Sequence, residues 1–428
     1  MSVTTAARPG TARRARTERT RAAIVEAAHS AFVDRGYRAS SLRDIASAAG
    51  ISHPGLLRHF ATKDELLAEV VAGLERENAE HLLGRVAADE PGPLAFGEMA
   101  RRNARVPGYL ELFAALTGEA STPLHPAHAL MRRRYAQLIG LSADIFHEAI
   151  QDGLVAPDRH PRAEAIRLAA AWDGLQLLTQ YLPERVDVGA ALDAHEELLA
   201  LPVGWRDPGD QRRLGTPASF VPLPDLGAFE VPAEAGYRVG RDRRARILAD
   251  AMALFAQDGY GDTSLQRIAQ AVGVSKSTLL HHYPSKEALL SAVLAERDRG
   301  IQMLESAPRP ARAADVLRGI PREAAHSAEQ SPGLVEVYAV LSCEAVPAGH
   351  PAHAYFSTRF SAVLDHFTTL LRVAQVDGDL PAHRDPAFEA LWLVALWDGL
   401  QYQWLYDPRR VDVAAHLEAH LKDLLPVE

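Results

Sequence analysis

The side chains best placed to do chemistry fall in two clusters of the same design. The first comprises Arg43, Ser52, His53, Gly55, Arg58, His59 and Lys63. The second comprises Gln266, Ser275, Lys276, Thr278, His281, His282 and Lys286. Hydroxyls, imidazoles and cations dominate both. Such a set donates hydrogen bonds to phosphate oxygens and to base edges. Lys276 can reach guanine O6 and N7, and Thr278 can offer a methyl to thymine, whereas Pro54 and Gly55 provide little beyond shape. Catalytic patterns are missing. There is no G-x-S-x-G, no H-E-x-x-H, no Walker loop and no G-x-G-x-x-G after a strand, so an enzyme is not expected.

Both clusters sit in basic islands. Residues 1–63 hold 11 Lys/Arg against 4 acids, and residues 238–286 hold 8 against 4. The whole chain nevertheless has a net charge of −9, so the remainder is strongly acidic. Local basic patches in an acidic body are the footprint of phosphate contact, which the overall charge conceals.

The elements that must position these clusters are present twice. Residues 24–71 and 247–294 align without a gap, with 19 of 48 positions identical. Further matches follow at a slightly longer offset: GYLELFAALTGEASTPLHPAHA with GLVEVYAVLSCEAVPAGHPAHA, AWDGLQ with LWDGLQ, and ERVDV with RRVDV. A period this long is a duplicated domain and not a solenoid. The 428 residues divide accordingly: a basic arm over 1–16, a head over 17–77, a helical domain over 78–200, a linker over 201–238, a second head over 239–300 and a second helical domain over 301–428. Six prolines and five glycines in the linker forbid a continuous helix there. Phe220, Val221, Leu223, Leu226 and Phe229 are expected to hold it along a domain surface.

Each copy reads as all-α. Ile24, Ala27, Ala28, Ala31 and Phe32 form the stripe of an amphipathic helix. Gly36 and Gly259 are expected to end the first helix of each copy in the left-handed region. Ser41 with Asp44 begins a second helix, and Ser52 and Ser275 N-cap a third. The resulting helix-turn-helix units span 41–60 and 264–283. Ile45, Ala46, Ala49, Leu56 and Phe60 pack one of them, and Ile268, Ala269, Val272, Leu279 and Tyr283 the other. The first turn of each third helix is then free to enter a major groove.

SLRDIASAAGISHPGLLRHFATKDELL and SLQRIAQAVGVSKSTLLHHYPSKEALL resemble the DNA-binding domain of TetR-family transcriptional regulators. His59 and His282 stand at the family's histidine position. Leu57 and Leu280 stand where the family usually has tyrosine, which removes a phosphate-contacting hydroxyl. The resemblance implies DNA heads levered by helical ligand domains, a small-molecule effector that lowers operator affinity, and pairing of the last two long helices. Here those helices are about 132–152 with 162–182 and 357–376 with 387–406. Both copies retain WDGLQ, so the two copies are expected to pair within one chain, with Trp172, Leu175, Trp397 and Leu400 in the seam; further homo-oligomers stay compatible with this. The alternative is a ligand-binding or scaffold protein whose heads have weakened.

The remaining candidates are ligand-pocket groups and bystanders. Glu119 and Glu344 read either as polar groups of an effector pocket or as helix surface, and Trp172 and Trp397 are candidates to line that pocket, with the seam as their main reading. The pairs His125/His128 and His350/His353 lack nearby carboxylate or Cys ligands and are expected to serve in turns, so no metal and no cofactor is predicted. Cys343, the single cysteine, reads as a small buried hydrophobe. No stretch approaches 18 uninterrupted apolar residues, and the basic N-terminus lacks an apolar core, so the expected location is the cytoplasm, with no membrane contact.

Overall fold

The structure is a computed structural model that describes residues 9–87, 94–123, 125–210, 238–305, 312–330 and 332–427. Among these residues there are helices and no strands. The first copy supplies α1 (Pro9–Ala39), α2 (Leu42–Ala48), α3 (His53–Leu57), α4 (Lys63–Ala87), α5 (Phe96–Arg105), α6 (Tyr109–Glu119), α7 (His128–Gln151), α8 (Pro161–Tyr181) and α9 (Val188–Leu199). The second supplies α10 (Arg238–Asp262), α11 (Leu265–Val272), α12 (Lys276–His282), α13 (Lys286–Glu305), α14 (Ala313–Gln330), α15 (Pro332–Glu344), α16 (His353–Val376), α17 (Pro386–Tyr406) and α18 (Val413–Leu424). The chain divides into two compact units, residues 1–92 with 102–116, and residues 93–101 with 117–428.

The first unit is built around the first head. Ile24, Ala28, Phe32, Ile45, Ala46, Leu56 and Phe60 are buried there on α1, α2 and the α3 segment. The helix begins earlier than the arm reading implies. Pro9 opens α1 at a position where its missing N–H costs nothing, and the Arg-rich stretch that follows forms helix, with an Arg14–Glu18 pair at 3.2 Å one turn apart.

The second unit holds the second head and the helical parts of both copies. Ile247, Ala251, Phe255, Ile268, Ala269, Val272, Leu279 and Tyr283 repeat the head core. Beyond the head, α15 lies along α10, and α14 packs on α16 and α18. In the middle, α8 lies along α17, flanked by α7 and α16. Contacts between the two copies around this pair are reciprocal. The Tyr181 hydroxyl donates to the Ser342 carbonyl at 2.5 Å, and the Tyr406 hydroxyl donates to the Thr117 carbonyl at 2.9 Å. His353 stacks on Tyr181 at 5.2 Å, and His128 stacks on Tyr406 at 5.3 Å. The helices approach so closely because Gly174 and Gly399 carry no side chain. A Cβ on Gly174 would overlap the Ala395 backbone, and one on Gly399 would overlap the Ala170 backbone. Leu175 and Leu400 are fully buried in this seam, while Trp172 and Trp397 are half-buried beside it.

Of the linker, 201–210 is described, and 211–237, with the five apolar residues named above, lies outside the described residues. Arg206 donates to the Gly378 carbonyl at 2.9 Å, and Asp210 accepts from the Ala382 N–H at 3.0 Å. The start of the linker therefore runs along the α16–α17 loop.

Candidate nucleic-acid interface

Each head closes its helix-turn-helix with serine. Ser41 accepts the Asp44 N–H at 3.2 Å and Ser264 accepts the Arg267 N–H at 3.1 Å, which starts α2 and α11. Gly50 and Gly273 then turn the chain with φ of 67° and 74°. Ser52 accepts the Gly55 N–H at 3.2 Å, and Ser275 accepts the Thr278 N–H at 3.1 Å, which starts α3 and α12. Pro54 sits in the first turn of α3, as expected. An ion pair braces the first two helices of each head with its charges exchanged: Arg35 with Asp44 at 3.8 Å in one, and Asp258 with Arg267 at 2.8 Å in the other.

Gly36 and Gly259 differ from the expected helix caps. Their φ values of 78° and 79° are positive, but ψ is 163° and 170°, an extended conformation open to glycine alone and not the left-handed helical one. In the second head this turn aims two N–H groups at α15. Glu344 accepts from Tyr260 N–H and Gly261 N–H, both at 2.5 Å. The Glu344 carboxylate thus ties the second head to α15, because the Gly259 turn leaves those donors without a helical partner. Burial raises its pKa. Glu119 lies 4.0 Å from His125.

Exposure separates the predicted contact residues. Arg43, Ser52 and Arg58 are exposed, and His53, Gly55 and His59 are half-buried. In the second head Gln266, Ser275, Lys276 and His281 are exposed, and Thr278 and His282 are half-buried. The Thr278 hydroxyl lies 2.8 Å from that of Ser275, so it is engaged within the cap. Burial lowers the His282 pKa. Leu57 is 40% exposed, an apolar surface where a hydroxyl was missing.

Lys63 and Lys286 take places that the phosphate reading did not foresee. The Lys63 ammonium donates to the Tyr37 and Ser40 carbonyls at 2.8 and 2.9 Å and lies over the Tyr37 ring at 4.4 Å. Lys286 donates to the Gly261 carbonyl at 3.3 Å and lies over the Tyr260 ring at 4.1 Å. Both hold the turn after the first helix, whose carbonyls the glycine conformation leaves open. Arg21 likewise turns inward, donating to the His59 carbonyl at 3.1 Å and pairing with Glu69 at 2.6 Å. Among the described residues, exposed cations at and before the first head include Arg14, Arg16, Arg19, Arg43 and Arg58.

The other candidates also find places. The indole N–H groups of Trp172 and Trp397 are buried without a hydrogen-bond partner. Nδ1 of His125 and of His350 accepts the Ala127 and Ala352 N–H groups, each at 3.1 Å, and these turns lead into α7 and α16. Cys343 is buried, and burial pushes its thiol up to about 12. One group among the described residues, Asp207, Asp210 and His383, has donor atoms within 4.8 Å of one another; the sequence reading had not joined these positions. The seam glycines Gly174 and Gly399 were also missed, although glycine at matched positions inside two helices was a readable signal.

The pattern of the family described as "Bacterial regulatory proteins, tetR family" matches residues 24–70 and 247–293, and that of "BetI-type transcriptional repressor, C-terminal" matches residues 353–426. The transcriptional regulator RutR of Escherichia coli (strain K12) is 41% identical over 70 residues, 16% of this chain and 32% of that protein. The transcriptional repressor KstR2 of Rhodococcus jostii (strain RHA1) is 28% identical over 161 residues, 37% of this chain and 66% of that protein. The chain thus spans about a third of the first relative's length and just under two thirds of the second's. Among solved structures, Salmonella enterica GusR is 24% identical with a TM-score of 0.35, covering 44% of this chain and 96% of GusR. A regulator from Agrobacterium tumefaciens is 21% identical with a TM-score of 0.38, covering 44% of this chain and 99% of that one. With the head pattern met twice and a matching C-terminal domain behind the second, the chain belongs to the TetR family of regulators, in a tandem form with a duplicated N-terminal domain.

Proposed function

We propose that this chain is a DNA-binding transcriptional repressor that works as an internal pseudo-dimer, reads an asymmetric operator and is released by a small molecule. One observation carries the reading: two serine-capped recognition helices with exposed first turns present different side chains, Pro54 and Arg58 in one and Lys276 and His281 in the other. A homodimer offers two identical heads and favours a palindrome, whereas unlike heads favour unlike half-sites. The reciprocal Tyr181–Ser342 and Tyr406–Thr117 bonds support pairing of the copies within the chain. The relatives' descriptions as regulators and repressors support the repressor role.

For the effector, the unpartnered indole N–H groups of Trp172 and Trp397 favour an apolar molecule that carries a hydrogen-bond acceptor. Glu344 supplies a route for release at the second head: a ligand that shifts α15 shifts the turn that presents α11 and α12.

A gel shift with DNA from upstream of the protein's own gene tests the reading. A shift that survives excess unrelated DNA is expected. The rival, a scaffold with weakened heads, is favoured by the exposed Leu57 and gains the field if no specific shift is seen at low salt.

A further inference from the structure

Among the described residues, six charged side chains gather almost fully enclosed in the seam between the copies. From the first copy come Arg159, Glu164 and Arg167, with 3%, 4% and 13% of the side chain exposed. From the second come Arg384, Glu389 and Asp423, with 3%, 1% and 13% exposed. Asp423 joins them. Its carboxylate accepts from Arg159 at 3.2 Å and lies 3.3 Å from Arg384. Each arginine also meets its own copy's glutamate, Arg159 to Glu164 at 3.4 Å and Arg384 to Glu389 at 3.0 Å. Arg167 pairs with Glu164 at 2.6 Å.

The network is symmetric in two members and asymmetric in the third. Arg159 and Glu164 correspond to Arg384 and Glu389 in the repeat. Arg167, however, corresponds to Trp392, and Asp423 corresponds to Leu198. The first copy therefore brings two cations and one anion, and the second brings one cation and two anions. Together they sum to zero. Two first copies facing each other would bury an excess of positive charge, with leucine where the shared carboxylate is needed. Two second copies would bury an excess of carboxylates. Buried charge is tolerated when it is paired and costly when it is not. His195 and His420 line the same region and stay neutral, their pKa values lowered by burial and by the neighbouring arginines. His195 also stacks at 3.8 Å on Trp392, which stands in the second copy where the first has Arg167.

We infer that the seam carries a charge code that makes each copy fit the other copy of the chain and reject a second copy of itself. This rests on the pseudo-dimer reading and adds its selectivity. It explains how a duplicated protein with two family-type pairing faces avoids joining like to like, and it fixes which two heads work together.

Full-length variants test it. Asp423→Leu with Trp392→Arg gives both copies the positive set, and Leu198→Asp with Arg167→Trp gives both the negative set. Each variant alone should lose the sharp thermal transition of the wild type or aggregate. Mixed in equal amounts, they should form a one-to-one complex of twice the chain mass by light scattering. Leu198→Asp should also restore most of the melting temperature lost in Asp423→Leu, because it moves the shared acid to the equivalent position. A mixture that stays unassociated, with no rescue in the double variant, overturns the code while a wild-type mass of one chain keeps the pseudo-dimer. A wild-type dimer cross-linked like to like through α8 or α17 overturns both.

Discussion

Lys276 and Lys63 show how differently two lysines of one motif can be used. Lys276 is exposed at the start of α12, whereas Lys63 is tied to the Tyr37 and Ser40 carbonyls. Replacing Lys276 by alanine should cost about 1–3 kcal/mol of operator binding and relax preference in one half-site only, which competition gel shifts with base-substituted operators would measure. Removing the exposed Arg43 should flatten the plot of log K against log salt by about 0.9. Lys63→Met should leave that slope unchanged and lower the melting temperature instead; a flatter slope for Lys63→Met would return it to the phosphate backbone. His420 gives a pH test. Burial first, then the nearby Arg384, Arg167 and Arg159, push it from 6.5 to about 3, with Asp423 opposing. The unfolded chain binds the proton more readily than the fold, so this contribution is intact above pH 6.5 and is lost as pH falls toward 3. Urea melts should therefore show the stability difference between wild type and His420→Leu shrinking by about 1.4 kcal/mol per pH unit below 6.5. A difference flat with pH would mean that the imidazole is solvated in the fold.

Helices and their caps were legible because local rules decide them. Ser52 and Ser275 cap where the spacing said they would, and the apolar stripe of α1 faces the head core. What the sequence hid depended on long-range approach. Glu344 was a polar residue on an apolar helix until the Gly259 turn, 85 residues earlier, supplied its two donors. Lys63 looked like a phosphate ligand because spacing says nothing of the carbonyls it meets across the turn. Gly174 and Gly399 were passed over in favour of the larger Trp172 and Trp397, although the glycines set how closely α8 and α17 approach. The element-level prediction follows from them. Gly399→Ala, whose added methyl would overlap the Ala170 backbone, should destabilise the fold by about 1–3 kcal/mol in denaturant melts, against a gain of up to about 1 kcal/mol expected from helix propensity alone. An unchanged or raised stability would show that the two helices have room to separate.

Duplication changes what a regulator of this kind can recognise. When two pairing faces sit on one chain, the heads no longer have to be the same, and each is free to acquire its own contacts. The exchanged ion pair, Arg35–Asp44 against Asp258–Arg267, shows two heads that keep one architecture while their surfaces diverge. The asymmetric seam around Asp423 would favour pairing of unlike copies over like ones. Selection of binding sites from random DNA by the full-length protein tests the central claim most directly. The account predicts two dissimilar half-sites about one helical turn, or a small multiple of it, apart. A perfect inverted repeat, or a single half-site with nothing selected beside it, would contradict it.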